Sequence, residues 1–571
     1  MTDLLDVYED MRLATVGNSG KARNAALRAG ADVETEATSL VGYRSAGYLL
    51  IIGGESAARA AAEALGGSVH KTLLVTDAPD GAGAIDDALV VLRGSLAGLE
   101  GHLGKFVARM QTPNGQALNL SELNGTAHPY FDLVLDLQDT PAMSAEVPPF
   151  GYYAPAGNEA RLQRALAEIP EMTGEFEKPR FFNYNPDICA HGDSGLTGCT
   201  RCLDACPTGA ITSLGDLVDV DPYLCQGGGS CAAACPTGAM IYAYPGPRDQ
   251  LARIRAMLAA YRQAGGETPV LLFHDEEQGA ELLREAAADL PEHVLPVRVA
   301  EIGAVGMDIW LAGMAYGAAG VVLLDTPAVA ASVRRELESQ ISYTRPLMQG
   351  MGLEPLRLQL LPAGQGGAAE WFVTQTAYAP IGNPAAFETF NEKRSTLRLA
   401  IDHLHQQAEA PAAEMAMPVG APFGQVLVNG DACTLCMSCP QVCPTRALTD
   451  AGDKPQLNFT EDLCVQCGLC QTACPEDAIT LQPRYLFDAE QRRRPRVLNE
   501  EEPFHCISCG KAFATASVIG RMTEKLQGHH MFQSEDSLRR LKMCGDCRVT
   551  DMFADDLKGG SVPKVYGMES K

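Results

Sequence analysis

Apolar residues in this 571-residue chain fall into short continuous blocks separated by turn residues. "GYLLIIGG" (47–54), "KTLLVTD" (71–77), "ALVVLRG" (88–94) and "FDLVLDL" (131–137) read as buried strands. Between the first two, "ESAARAAAEAL" (55–65) carries small apolar residues at helical spacing. This alternation predicts an α/β domain over 1–165. The "GGESAA" turn lacks the full dinucleotide-binding spacing and the P-loop lysine, so a plain strand–turn–helix is expected there. The same patterning returns over 250–400, with "PVLLFHD", "AELLREAAADL", "VLPVRVAEIG" and "AAGVVLLD". One stretch, "IGAVGMDIWLAGMAYGAAGVVLL" (302–324), imitates a membrane span. Its Gly and Ala content, Asp308 and the following "DTP" turn predict a buried helix running into a core strand instead. "QQAEAPAAEMAMPVGAP" (406–422) reads as a linker.

Composition is that of a globular chain, with 46% hydrophobic and 20% charged residues. The formal net charge of −26 repels phosphate backbones, so nucleic acid is not an expected partner. An acidic surface suits docking to a basic patch on another protein. The one basic run, "QRRRPR" (491–496), is expected to be a solvated linker. "MTDLLDVYEDMR" at the start has no apolar h-region and does not read as a secretory signal, so a soluble, cytoplasmic protein is expected, without membrane insertion.

Cysteine changes the picture. Nineteen are present, in tight clusters separated by long cysteine-free stretches, which favours thiolate–metal chemistry over disulfides. "CTLCMSCPQVCP" places Cys433, Cys436, Cys439 and Cys443 at C-x2-C-x2-C-x3-C-P, and "CVQCGLCQTACP" repeats the run with Cys464, Cys467, Cys470 and Cys474. In this two-cluster pattern three close thiolates wrap one cube and the fourth crosses to the other. Cys433, Cys436, Cys439 and Cys474 are therefore expected to hold one 4Fe–4S cluster, and Cys464, Cys467, Cys470 and Cys443 a second.

The earlier block is modified. "CAHGDSGLTGCTRCLDACP" supplies Cys189, Cys199, Cys202 and Cys206, with nine residues between the first two. The added loop is expected to bulge out, with His191 and Asp193 solvated. "LCQGGGSCAAACP" supplies Cys225, Cys231 and Cys235, with Gly228 where the second cysteine of a run belongs. By the crossing rule Cys189, Cys199, Cys202 and Cys235 complete a third 4Fe–4S site, while Cys206, Cys225 and Cys231 remain for a fourth. Three thiolates suit a 3Fe–4S cluster, or a 4Fe–4S cluster with one iron lacking a protein thiolate. Space beside Gly228 would let water or an exogenous ligand reach that iron. The competing reading is a half that has lost its cluster and keeps the fold. At the C-terminal end, "HCISCGKAF" and "MCGDCR" offer Cys506, Cys509, Cys544 and Cys547 as two C-x2-C knuckles. A structural zinc is the first choice there, and another iron–sulfur cluster the second. His505, His529 and His530 nearby are expected to be solvated or core residues.

The two cysteine blocks resemble bacterial 2[4Fe–4S] ferredoxin domains. The stretch 268–362, with "VLPVRVAEIGAVGMDIWLAGMAYGAAGVVLLD" and "RRELESQISYTRPLMQGMGLEPLRLQLL", resembles the delta subunit of methyl-viologen-reducing hydrogenases. Where that family has cluster cysteines this chain has "FHDEEQ", "AEIGAVG" and "LLDTPAVAAS", so no cluster carries over, and a scaffold or docking role is implied. The whole arrangement is similar to cytoplasmic 4Fe–4S proteins among the formate dehydrogenase accessory proteins, which implies a link to formate dehydrogenase.

The expected architecture is multidomain α/β and α+β. It comprises an α/β domain (1–165), a modified dicluster ferredoxin of βαββαβ order (181–245) and a cluster-less α/β domain (250–400). After the linker (406–422) come a 2[4Fe–4S] ferredoxin (423–485) and a zinc-ribbon-like module (495–571). No Ser/His/Asp set, P-loop or flavin or nicotinamide fingerprint is visible, so no catalytic residue is assigned. The expected function is a multi-cluster carrier of single electrons between redox proteins, more than a stand-alone enzyme. The alternative is an iron–sulfur accessory or maturation factor.

Overall fold

The computed structural model describes residues 13, 15–77, 84–85, 89–111, 117–123, 128–363, 378–452 and 454–559. The acidic start of the chain lies outside the described residues, as does the end from 560. The chain divides into two compact units, one of residues 1–186 and 200–411, the other of 187–199 and 412–571.

In the first unit, Tyr48–Gly53 is the centre of a six-stranded sheet. It lies between Leu133–Asp136 and His70–Val75, parallel to both. Its alternate residues serve two cores, which is why the run is continuously apolar. Leu49 and Ile51 pack with Ala58 and Ala61 of the helix Glu55–Ala64. Leu50 and Ile52 pack with Phe106 and Phe131 beneath a three-stranded antiparallel sheet.

A second, all-parallel sheet runs in the order Val294–Arg298, Val270–His274, Gly320–Asp325, Leu358–Pro362. Every residue of Gly320–Asp325 and of the helix Met307–Ala315 is buried. The membrane-like stretch is therefore a core helix followed by a core strand, as its Asp and turn suggested. Among the described residues no helix is long and apolar enough to cross a membrane.

Both cysteine blocks show the same order of elements. In the first, Phe182–Tyr184 pairs with Met240–Tyr242, and Ile211–Ser213 with Val218–Val220, with helices Arg201–Asp204 and Ser230–Ala234 between. In the second unit, Gly424–Val428 pairs with Ile479–Leu486 and Leu448–Asp450 with Gln456–Phe459, around helices Ser438–Gln441 and Leu469–Thr472. Each is a strand–helix–strand repeated twice, with outer strands paired and inner strands paired.

Two local expectations need revision. Within 406–422, Glu414–Ala416 forms a strand on Ile479–Leu486. The basic run is solvated only in part. Arg492 is 3% exposed on the helix Ala489–Arg493, and its Nε donates to Asp462 Oδ1 at 2.7 Å. Arg496 opens the next strand and donates to Glu461 Oε2 at 2.8 Å. Two of the run's four arginines, Arg492 and Arg496, are thus paired with acids 30 or more positions earlier, which no local pattern reveals, while Arg493 and Arg494 are exposed.

Candidate iron–sulfur and metal sites

The loops between cysteines share a strained backbone. Leu435 and Met437 flank Cys436 with φ of 54° and 61°. Gln466 and Gly468 flank Cys467 with φ of 53° and 87°. Left-handed conformations cost a residue other than glycine on the order of 1 kcal/mol, so the second unit keeps three such residues where a cluster loop needs them. Gly227 and Gly229 flank Gly228 with φ of 81° and 73°, the same two turns around the missing cysteine. A further left-handed residue follows the last cysteine of each run, at Arg446, Asp477, Gly209 and Gly238.

In the second unit Cys433, Cys436, Cys439 and Cys474 line one cavity, closed by Leu457 and Ile479. The fourth of these comes from the other run. Burial pushes the Cys439 thiol up to about 12, and the charges of Cys433, Cys436 and Cys474 add to it. Burial likewise raises Cys470, reinforced by Cys464, Cys467, Cys443 and Cys439. Thiols in such surroundings become thiolates only with cations among them. Donors already face the sulfurs: Gln466 Nε2 to Cys464 Sγ at 3.2 Å, and Ala478 N to Cys474 Sγ at 3.3 Å.

In the first unit burial raises Cys231 far above its ordinary value, and Cys225, Cys206 and Cys202 raise it further. Cys225 is raised chiefly by burial, against the opposing charge of Lys178. Lys178 Nζ donates to Tyr223 O at 3.0 Å and to Cys225 O, and lies 5.1 Å over the Tyr43 ring. Burial brings that lysine down to about 8, with Cys225 and Asp221 pulling the other way. Cys235 Sγ accepts from Met240 N at 3.4 Å. The corner at Gly228 is not the free space expected. A Cβ there would stand 3.2 Å from Pro207 Cγ and 3.8 Å from Val333 Cγ2. Gly303 also lies against the Gly228 carbonyl, so closely that a Cβ on it would be 2.3 Å from that oxygen.

Cys189 and Cys199 belong to the second unit. The residues between them form a hairpin, Gly192–Asp193 against Leu196–Thr197. His191 is not solvated but 2% exposed, with Nδ1 2.9 Å from Cys199 O. Asp193 is half-buried and accepts from Ser194 Oγ.

The sulfurs of Cys506, Cys509, Cys544 and Cys547 all lie within 4.8 Å of one another. Cys509 and Cys544 Sγ are 3.7 Å apart, and Cys544 N donates to Cys506 Sγ at 3.3 Å. Zinc–thiolate bonds of about 2.3 Å put the edges of a tetrahedron at ~3.8 Å. Four irons at separate corners of a cube would hold their thiolates further apart, so this set fits one mononuclear ion. Burial raises Cys506, but backbone N–H groups of Cys544, Cys509 and Ser508 outweigh it and bring the thiol to about 6. The Ser508 contact lowers Cys547, but the neighbouring thiols of Cys509, Cys544 and Cys506 push it up to about 12. His505, His529 and His530 are exposed.

A family model described as a 4Fe-4S dicluster domain matches residues 197–239, and one described as a 4Fe-4S binding domain matches 457–480. The chain carries ferredoxin-type 4Fe–4S domains. They point to an iron–sulfur electron-transfer protein, and so to redox partners in general. No curated protein matches the chain. The sequence reading missed three things at these domains: the left-handed residues, the hairpin and Lys178. The "GGG" of 227–229 was the available signal for the first, since glycine marks positions of positive φ.

Proposed function

We propose that this chain is a multi-cluster wire that passes single electrons between redox proteins. Cys433, Cys436, Cys439 and Cys474 would hold one 4Fe–4S cluster, Cys443, Cys464, Cys467 and Cys470 a second, and Cys189, Cys199, Cys202 and Cys235 a third. The observation that carries the reading is the cavity in which Cys474 joins three cysteines of the other run, the exchange that a paired-cluster fold requires. Cys206, Cys225 and Cys231 would hold a 3Fe–4S cluster. The retained left-handed turns around Gly228 support a working cluster loop, and Pro207 and Val333 leave little open space there for an outside ligand to take the place of the absent thiolate. The C-terminal four cysteines would hold zinc as a structural ion, consistent with their sulfur spacing. Bound clusters supply one-electron redox chemistry. The chain's own residues fix potentials through buried thiolates, N–H donors to sulfur and the Lys178 charge. A cytoplasmic location and formate dehydrogenase as a partner follow from the resemblance of the cysteine arrangement to formate dehydrogenase accessory proteins.

The deciding experiment mixes the reduced chain with formate dehydrogenase, without air, in a stopped-flow spectrometer. A wire gives cluster absorbance changes at the rate of enzyme turnover. Binding to the apo-enzyme with no such change would favour an assembly factor.

A further inference from the structure

The insertion between Cys189 and Cys199 is a fitted contact and not slack chain. Its second strand, Leu196–Thr197, lies against the helix Leu469–Thr472, whose Leu469 is fully buried. The fit leaves no room at Gly198. A Cβ there would stand 2.6 Å from Leu469 Cγ and 2.9 Å from Ala190 O. Hydrogen bonds lock the base of the hairpin: Gly198 N to His191 O at 2.7 Å, and Cys199 N to Ala190 O at 2.9 Å. Cys199 is the next residue after Gly198, and its charge reaches Cys467, two residues before Leu469. A loop needed only to span nine positions would require neither the buried His191 nor this contact.

Resting on the wire reading above, we propose that this hairpin is a positioning element for electron transfer. It holds Cys199 beside Cys467, so that one electron passes between the iron–sulfur sites those two cysteines serve. The step is a simple exchange. 4Fe–4S clusters held by those cysteines would supply it, one giving up an electron (1+ to 2+) as the other takes it (2+ to 1+), with no bond or proton changed. Thiolate sulfur carries part of a bound cluster's electron density, so two ligand cysteines close enough for their charges to interact would shorten the path between their clusters.

The test uses the full chain loaded with clusters and reduced by dithionite. Pulsed EPR reads the magnetic coupling between clusters, and rapid mixing reads how fast electrons redistribute. Gly198→Ala forces the hairpin off Leu469. Iron content is expected to hold, while coupling weakens and redistribution slows by about tenfold. Gly198→Ala with Leu469→Ala restores part of the room and is expected to recover part of both. Unchanged coupling and rate in Gly198→Ala, with its hairpin shown by hydrogen exchange to be displaced, would overturn the proposal. If Gly198→Ala does not load, exchange in the wild-type protein decides. Slow exchange at the Gly198 and Cys199 amides supports a fixed hairpin, and fast exchange overturns it. A wild-type chain without iron would instead defeat the wire reading itself.

Discussion

Lys178 shows how one charge sets the character of a site. Its ammonium group is held against the Tyr223 and Cys225 carbonyls, beside the three-cysteine site. A positive charge there would stabilise the reduced, more negative state of a cluster held by those cysteines. Lys178→Met is expected to lower that site's reduction potential by on the order of 50–100 mV in an EPR-monitored titration, leaving the other potentials in place. An unmoved potential would remove Lys178 from the account. Gly228 allows the complementary test. The 3.2 Å approach of Pro207 asks for a small adjustment only, so Gly228→Cys is expected to add about one iron per chain and replace a 3Fe–4S signal by a 4Fe–4S one. The absent thiolate was legible in the sequence, because the run around it is regular. Lys178 was not, since it lies 47 positions before Cys225 and only the fold joins them.

At the scale of elements, the sequence pattern located the strands and core helices well, because continuous apolar runs have little choice but to be buried. It misjudged "QRRRPR", because charge patterning records composition and not partners. Arg492 and Asp462 are both nearly inaccessible, so Arg492→Met takes a short charged hydrogen bond away from a buried carboxylate. The loss of stability is expected to be about 3–5 kcal/mol, read by denaturant unfolding of the second unit. The cluster-less parallel sheet offers a pH test. Its "FHDEEQ" and "AEIGAVG" segments bring Asp275, Glu276 and Glu277 near Glu301, whose carboxyl burial and these acids push up to about 7. A carboxyl with a raised folded-state pKa is held better when protonated, so it withdraws stability as pH rises from about 4.5 to 7, and the loss levels off above that. Glu301→Gln is therefore expected to raise the melting temperature at pH 8 and leave it little changed at pH 4.5. An equal rise at both would point to packing and not charge.

For the whole molecule, the cysteine spacings alone marked the candidate metal sites, since thiolates that share one ion or one cube must be near one another in space. The βαββαβ order was expected from the resemblance of those runs to bacterial ferredoxin domains, and the paired outer and inner strands of both blocks follow it. The left-handed residues other than glycine and the fitted hairpin were not, since nothing in the local pattern marks them. The C-terminal knuckles are expected to depend on their ion. A zinc chelator should release about one metal and raise hydrogen exchange over 503–548 while the iron chromophore persists. Loss of colour with the chelated metal would assign iron there instead. The most direct measurement of the central claim is the inventory of iron, acid-labile sulfide and zinc in full-length protein prepared without air. The account predicts about fifteen irons and about one zinc per chain. A folded, fully reconstituted chain that binds no more than about eight irons would contradict it.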